Sequence, residues 1–212
     1  MEAVEKLKSK ADLHLARKFW HFVGVMTIVI IYHNVDRVTG LKYSLTAALV
    51  SCVVDISRIR FEKFNNIILY FFGSFMRESE KHSVSGNTFL LLGAFVTIYV
   101  FDPEIAKLSL FFLATADPLA SYIGVKYGKD KILGNKSLQG SMAAFVCCMV
   151  IAAVYFYSKN LMVERLVIVS LLAGLIGAAS ELISVGKLDD NLTLPILSST
   201  FLFILFSMFG AF

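Results

Sequence analysis

Charge is what this chain has least of. Only 17% of its 212 residues are Asp, Glu, Lys or Arg, against about 25% in an ordinary soluble domain, which excludes a protein solvated on all sides. No polar block is long enough to fold alone, so a separate soluble domain is excluded too, and residues 1–212 are expected to form one integral domain. Cysteine is sparse: Cys52, Cys147 and Cys148 lie in apolar segments without metal-ligand spacing or an even-numbered framework, which leaves packing as their role. The opening stretch, MEAVEKLKSKADLHLARKFW, lacks the pattern of a secretory signal. Its first part, residues 1–18, reads as a charged, helix-prone amphipathic segment.

Apolar residues are plentiful, at 57% of the chain with a mean hydropathy of +0.72. Runs near the roughly 20 residues needed to cross a bilayer occur at 19–34, 41–57, 86–101, 104–124, 138–158, 163–183 and 192–212. The stretch from Arg60 to Arg77, with charged ends and the pair Asn65-Asn66, suits an interfacial or re-entrant helix better than a full span. The expected fold is therefore all-α: a polytopic integral membrane helical bundle of about seven transmembrane helices plus that extra helix. Under this division 15 of the 20 Lys and Arg residues fall on the N-terminal side. The positive-inside rule then puts the N-terminus in the cytoplasm.

Most polar groups of interest gather on that same side. Asp117 sits inside an apolar run directly before Pro118; an intramembrane carboxylate is costly unless it pairs, binds an ion or faces water. Proline removes a backbone donor, so the span is expected to break or kink there. Downstream, GVKYGKDKILGNKSLQGS (124–141) combines four lysines with four glycines between two spans. Gly124, Gly128 and Gly140 would let a backbone approach an anion, Lys129 and Lys136 would supply charge, and Ser137 and Ser141 would open a helix whose free N–H groups favour phosphate. The spacing is not that of a P-loop, because five residues separate Gly128 from Gly134 and Asn135 precedes Lys136.

Two further clusters complete the set. Glu181 near the end of one span, and Asp189, Asp190 and Asn191 before the next, offer the oxygen ligands that Mg²⁺ or a similar hard cation takes together with phosphate oxygens. Arg17, Lys18 and His21 stand at the entry to the first span, and Asp55 and Arg58, three apart, can pair on one helix face. A basic glycine-rich loop, carboxylates on one side and a membrane body describe phosphoryl transfer, which consists mainly of positioning and charge neutralisation. A secondary transporter also fits broken helices with buried carboxylates.

In the order DPLASYIGVKYGK, NKSLQGS, SEL and LDDNLTLP, with ARKFWH near the start, the chain resembles the CTP-dependent lipid kinases: dolichol kinase, phytol kinase and the fungal type of diacylglycerol kinase. The resemblance runs from about residue 14 to about residue 200. It implies an enzyme that moves the γ-phosphate of CTP to the hydroxyl of a membrane lipid with a divalent metal. Asp117, Glu181, Asp189 and Asp190 would be the metal ligands, with Asp189 or Asp190 also the base for the acceptor proton. Lys129, Lys136, Ser137 and Ser141 would hold the triphosphate; Arg17, Lys18 and His21 would close the site, Asn191 would orient the acids, and Asp55 and Arg58 would support it. Two positions depart from the family pattern: Ala116 stands before Asp117 where Gly is frequent, and Gln139 where Glu or Ala is. MRESEKHSVSGNTFLLLG is nearer the diacylglycerol kinase branch than the phytol kinases, which favours a glycerolipid acceptor, with a polyprenol or dolichol-like alcohol as the other candidate. A CTP:phosphatidate cytidylyltransferase, releasing pyrophosphate, is the related alternative. No nucleic-acid partner is expected. A homo-oligomer is compatible with the sequence.

Overall fold

The computed structural model describes residues 15–183 and 188–211. Among the described residues eight α-helices carry the fold: α1 (Leu15–Asn34), α2 (Arg37–Arg60), α3 (Glu62–Phe72), α4 (Gly86–Val100), α5 (Pro103–Tyr127), α6 (Leu138–Ser158), α7 (Leu166–Leu182) and α8 (Asp190–Phe209). Most of the segment expected to be amphipathic, residues 1–14, lies outside the described residues; Arg17 and Lys18 belong to α1. Six of these segments are long and apolar enough to cross a membrane. The seventh apolar helix, α4, has 15 residues and at a rise of about 1.5 Å each reaches about 22 Å, short of a full hydrocarbon core. The chain is an all-α bundle of membrane type, and the short α3 takes the place expected of the interfacial helix.

Helix α5 is the hub, touching α1, α4, α6, α7 and α8, and Ile105, Leu108, Leu110, Phe112, Leu113 and Ala114 on it are fully buried. Small residues let its neighbours close in, as membrane helices require when lipid removes the hydrophobic drive between them. On α7, a Cβ at Gly174 would lie 2.9 Å from the Phe145 carbonyl of α6, and Gly177 admits the buried Cys148. That contact bears out the packing role for Cys148.

Pro118 does not break α5. The helix runs continuously from Pro103 to Tyr127, because a proline deletes one backbone bond and leaves the remainder of the ladder in place. Buried Ala114, Ala116 and Ala120 pack this stretch into the core. The glycine-lysine loop is also more ordered than its composition suggests. Lys131–Leu133 (β1) and Lys136–Ser137 (β2) form an antiparallel hairpin, and Gly134 at its turn has φ +55°, a left-handed conformation that glycine adopts at little cost.

Candidate active site

The starts of α1, α4, α6 and α8 and the ends of α2, α5 and α7 meet at one end of the bundle, as antiparallel neighbours must. Within that end lies a cavity of about 660 Å³. Of the residues expected from the sequence, Arg17, Lys18, His21, Asp117, Gly124, Gly128, Lys136, Ser137, Gly140, Ser141, Glu181, Asp190 and Asn191 line it. Lys129 and Asp189 do not: Lys129 is exposed on the loop, and Asp189 caps α8 through Asn191 N–H and pairs with Arg77 at 3.1 Å.

Lys136 is the electrostatic centre. Its ammonium donates to the Glu181 carbonyl at 2.7 Å, to Glu181 Oε1 at 2.7 Å and to Asp190 Oδ2 at 3.0 Å. Burial alone would lower its pKa, but the carboxylates of Glu181, Asp190 and Asp117 outweigh burial and hold it above the ordinary lysine value. The lysine therefore stays charged across the neutral range. The Glu181 side chain is 4% exposed, so it depends on this cation; an unpaired buried carboxylate would be strongly unfavourable.

Asp117 is less committed. It is 24% exposed, and His21 Nε2 lies 3.9 Å from its Oδ2. His21 is buried, with Nε2 2.9 Å from the Leu113 carbonyl. A carbonyl can only accept, so Nε2 carries a proton and donates it there. Two polar groups at the cavity lack a hydrogen bond among the described residues, Lys18 Nζ and Ser141 Oγ. Buried polar groups normally find partners. A ligand with anionic oxygens would satisfy both.

Glycine has a second role here. A Cβ on Gly140 would lie 2.7 Å from the Ala120 carbonyl, and Gly124 and Gly128 make room for the Ser137 hydroxyl, which caps α6 by accepting from Gly140 N–H at 3.2 Å. These glycines let α6 seat against α5 and so bring Ser137 and Ser141 to the cavity.

A buried network holds the opposite wall. Arg58, 1% exposed, donates from Nε to Asp55 at 2.5 Å and from Nη1 to the Glu80 carbonyl at 2.9 Å, and also bonds the Ser83 carbonyl. Asp55 in turn accepts from Ser85 N–H at 2.8 Å, the Ser85 hydroxyl at 2.9 Å and the Thr88 hydroxyl at 2.7 Å. The pair thus ties the 76–85 segment and the start of α4 to α2. Glu80 then reaches Arg17 at 2.8 Å, and Asn191 donates to the Gly86 carbonyl at 3.1 Å. Glu80 and Arg77, within the polar stretch 76–86, and Lys131, among the loop lysines, have no individual role legible in the sequence, yet Arg77 and Lys131 line the cavity. Their only signal was a dense charge pattern in polar loops.

Among the described residues no group of three or more His, Cys, Asp or Glu side chains forms a ready-made metal cage. Magnesium needs none, since it is commonly held by one or two carboxylates plus substrate phosphates and water. Asp117 and Asp190, all-oxygen donors on the same cavity, fit that requirement.

Fold and site define a polytopic membrane protein with a cationic, carboxylate-bearing vestibule at one end. Known proteins narrow this. The CTP-dependent diacylglycerol kinase 1 of Schizosaccharomyces pombe is 36% identical over 184 residues, covering 82% of this chain and 83% of that protein. Its namesake in Saccharomyces cerevisiae is 29% identical over 208 residues, 89% of this chain and 72% of the relative. An uncharacterized protein of Rickettsia prowazekii is 27% identical over 190 residues, 87% of this chain and 91% of the relative. No protein-family model matches the chain, and no solved structure does. The chain belongs to the CTP-dependent lipid kinase family.

Proposed function

We propose that the protein transfers the γ-phosphate of CTP to the hydroxyl of diacylglycerol, with the vestibule around Lys136 as its active site. The observation that carries this is the set of groups gathered on a single cavity: Lys136 paired with Glu181 and Asp190, beside Asp117 and the unpartnered Lys18 ammonium and Ser141 hydroxyl. Relatives named as diacylglycerol kinases favour that acceptor over dolichol. The excess of Lys and Arg on the N-terminal side supports a cytoplasmic N-terminus and site, where CTP is available.

The residues divide the work as follows. Lys18, Lys136 and the Ser141 hydroxyl bind the triphosphate, with Arg77 and Lys131 at the rim. Asp117 and Asp190 would hold a divalent cation, which when bound neutralises the β- and γ-phosphates. Glu181 orients Lys136. Asp189, occupied by its cap and by Arg77, positions α8 and is no longer the favoured base.

The test is direct. Purified protein is given CTP labelled at the γ- or the α-phosphate with diacylglycerol, dolichol, phytol or geranylgeraniol. Label from the γ-position should enter diacylglycerol. Entry of α-label would mean cytidylyl transfer, and transfer to no lipid would refute the kinase reading.

A further inference from the structure

Beside the vestibule lies a second, smaller cavity of about 210 Å³ between α1, α2, α3 and α4. Its walls are of a different kind. Trp20, Val54, Ile68, Phe72 and Phe75 make them largely apolar. Trp20 stacks on Phe75 with ring centroids 5.0 Å apart and meets Phe72 edge-on at 6.3 Å, so an aromatic cluster joins α1 to the end of α3. Trp20 and Phe72 remain exposed, on a surface that a bilayer would cover. The inner end is polar: Arg17, His21 and Asn191 line this cavity and the vestibule alike.

We infer that this cavity is the acceptor-lipid subsite, an inference that rests on the kinase reading. Its size suits a glycerol backbone with its ester groups and not whole acyl chains, which would leave past Trp20 and Phe72 into the bilayer. A lipid entering by that route delivers its free hydroxyl to the junction, where His21 stands. The hydroxyl proton passes to water in the vestibule as the lipid oxygen bonds to the γ-phosphorus, and the bond from the γ-phosphorus to the β,γ-bridging oxygen breaks. The leaving electron pair goes to CDP, so phosphate, proton and charge are accounted for by CTP, lipid and water. The amphipathic α3 and the 73–76 turn thereby acquire a task, which is to form the lipid-side wall of the reaction chamber.

A larger groove of about 610 Å³ between α1, α5 and α6 is the competing location, but its polar end carries His33, Lys107 and Lys159, at the other end of the bundle from Asp117. A lipid seated there would hold its hydroxyl far from the phosphates.

Wild-type protein in bilayers, exposed to a diacylglycerol with a diazirine near the carbonyl of one acyl chain, should be labelled at Trp20, Val54 or Phe72–Met76. Excess unlabelled diacylglycerol should suppress that labelling. Competed label confined to Phe22, Val150 and Val154, or found nowhere, overturns the assignment. In parallel, Val54→Phe should raise KM for diacylglycerol about tenfold with the Kd for CTP unchanged; an unchanged KM overturns it. Should that variant not fold, the wild-type labelling decides. Failure of the kinase reading looks different: wild-type protein would then move no γ-phosphate to any lipid, wherever the label falls.

Discussion

Lys136 is bound to three acceptors on two elements, so its removal has two effects that measurement can separate. Lys136→Ala should weaken CTP binding by about 10- to 100-fold, the worth of a charge-assisted contact of about 1.5–3 kcal/mol. It should also destabilise the protein, because Glu181 loses its cation. An unchanged Kd for CTP would remove Lys136 from phosphate binding. Arg58 is a structural counterpart, buried against Asp55 at the edge of the smaller cavity. Arg58→Ala strands Asp55 in the core and should cost about 3–5 kcal/mol, read as a lowered melting temperature in detergent. A melting temperature near wild type would contradict the network described around it. Neither partner set was legible in the sequence beyond the local pair: Asp55 and Arg58 are three apart on one helix, whereas Arg17–Glu80 and Arg77–Asp189 join residues 63 and 112 positions apart. Nothing in a loop's composition announces such a pairing.

Elements were easier to read than their roles. Long apolar runs mark buried helices in any chain that must satisfy its backbone within lipid, and each of the seven runs became a helix with ends shifted by a few residues. Loop glycines suggest a phosphate cradle because glycine permits close approach, but sequence does not say to what. Gly124, Gly128 and Gly140 admit Ser137 and the backbone of α5 and α6, and Gly134 serves a turn. At the α6–α7 seam, Gly174→Ala sets a methyl against the Phe145 carbonyl and should cost about 1–3 kcal/mol by overpacking. Thermal unfolding in detergent measures it, and no loss of stability would show that the seam is looser than described. Gly86 is tighter still in function: an added Cβ would lie 2.6 Å from Arg17 Nη2 and 3.0 Å from Asn191 Nδ2. Because the Arg17 side chain can swing aside, Gly86→Ala should lower turnover more than stability.

At the scale of the molecule, a carboxylate in an apolar helix is tolerated because the ends of five helices assemble an open, charged chamber around it. The fold class was legible because periodicity and length are local properties. The chamber was legible only as an inventory, since the sequence named most of its groups without stating that an ammonium sits among the acids or that a second cavity adjoins them. If a divalent cation joins Asp117 and Asp190 to the phosphates, chelation should abolish turnover and added Mg²⁺ should restore it, while full activity in excess chelator would exclude the ion. Asp117→Asn is the sharpest probe of the whole account, because it removes a charge without changing size. Transfer of γ-phosphate from CTP to diacylglycerol by this variant should fall by about 10²- to 10³-fold, the scale of losing one electrostatic stabiliser, with the melting temperature unchanged; turnover near wild type would contradict it.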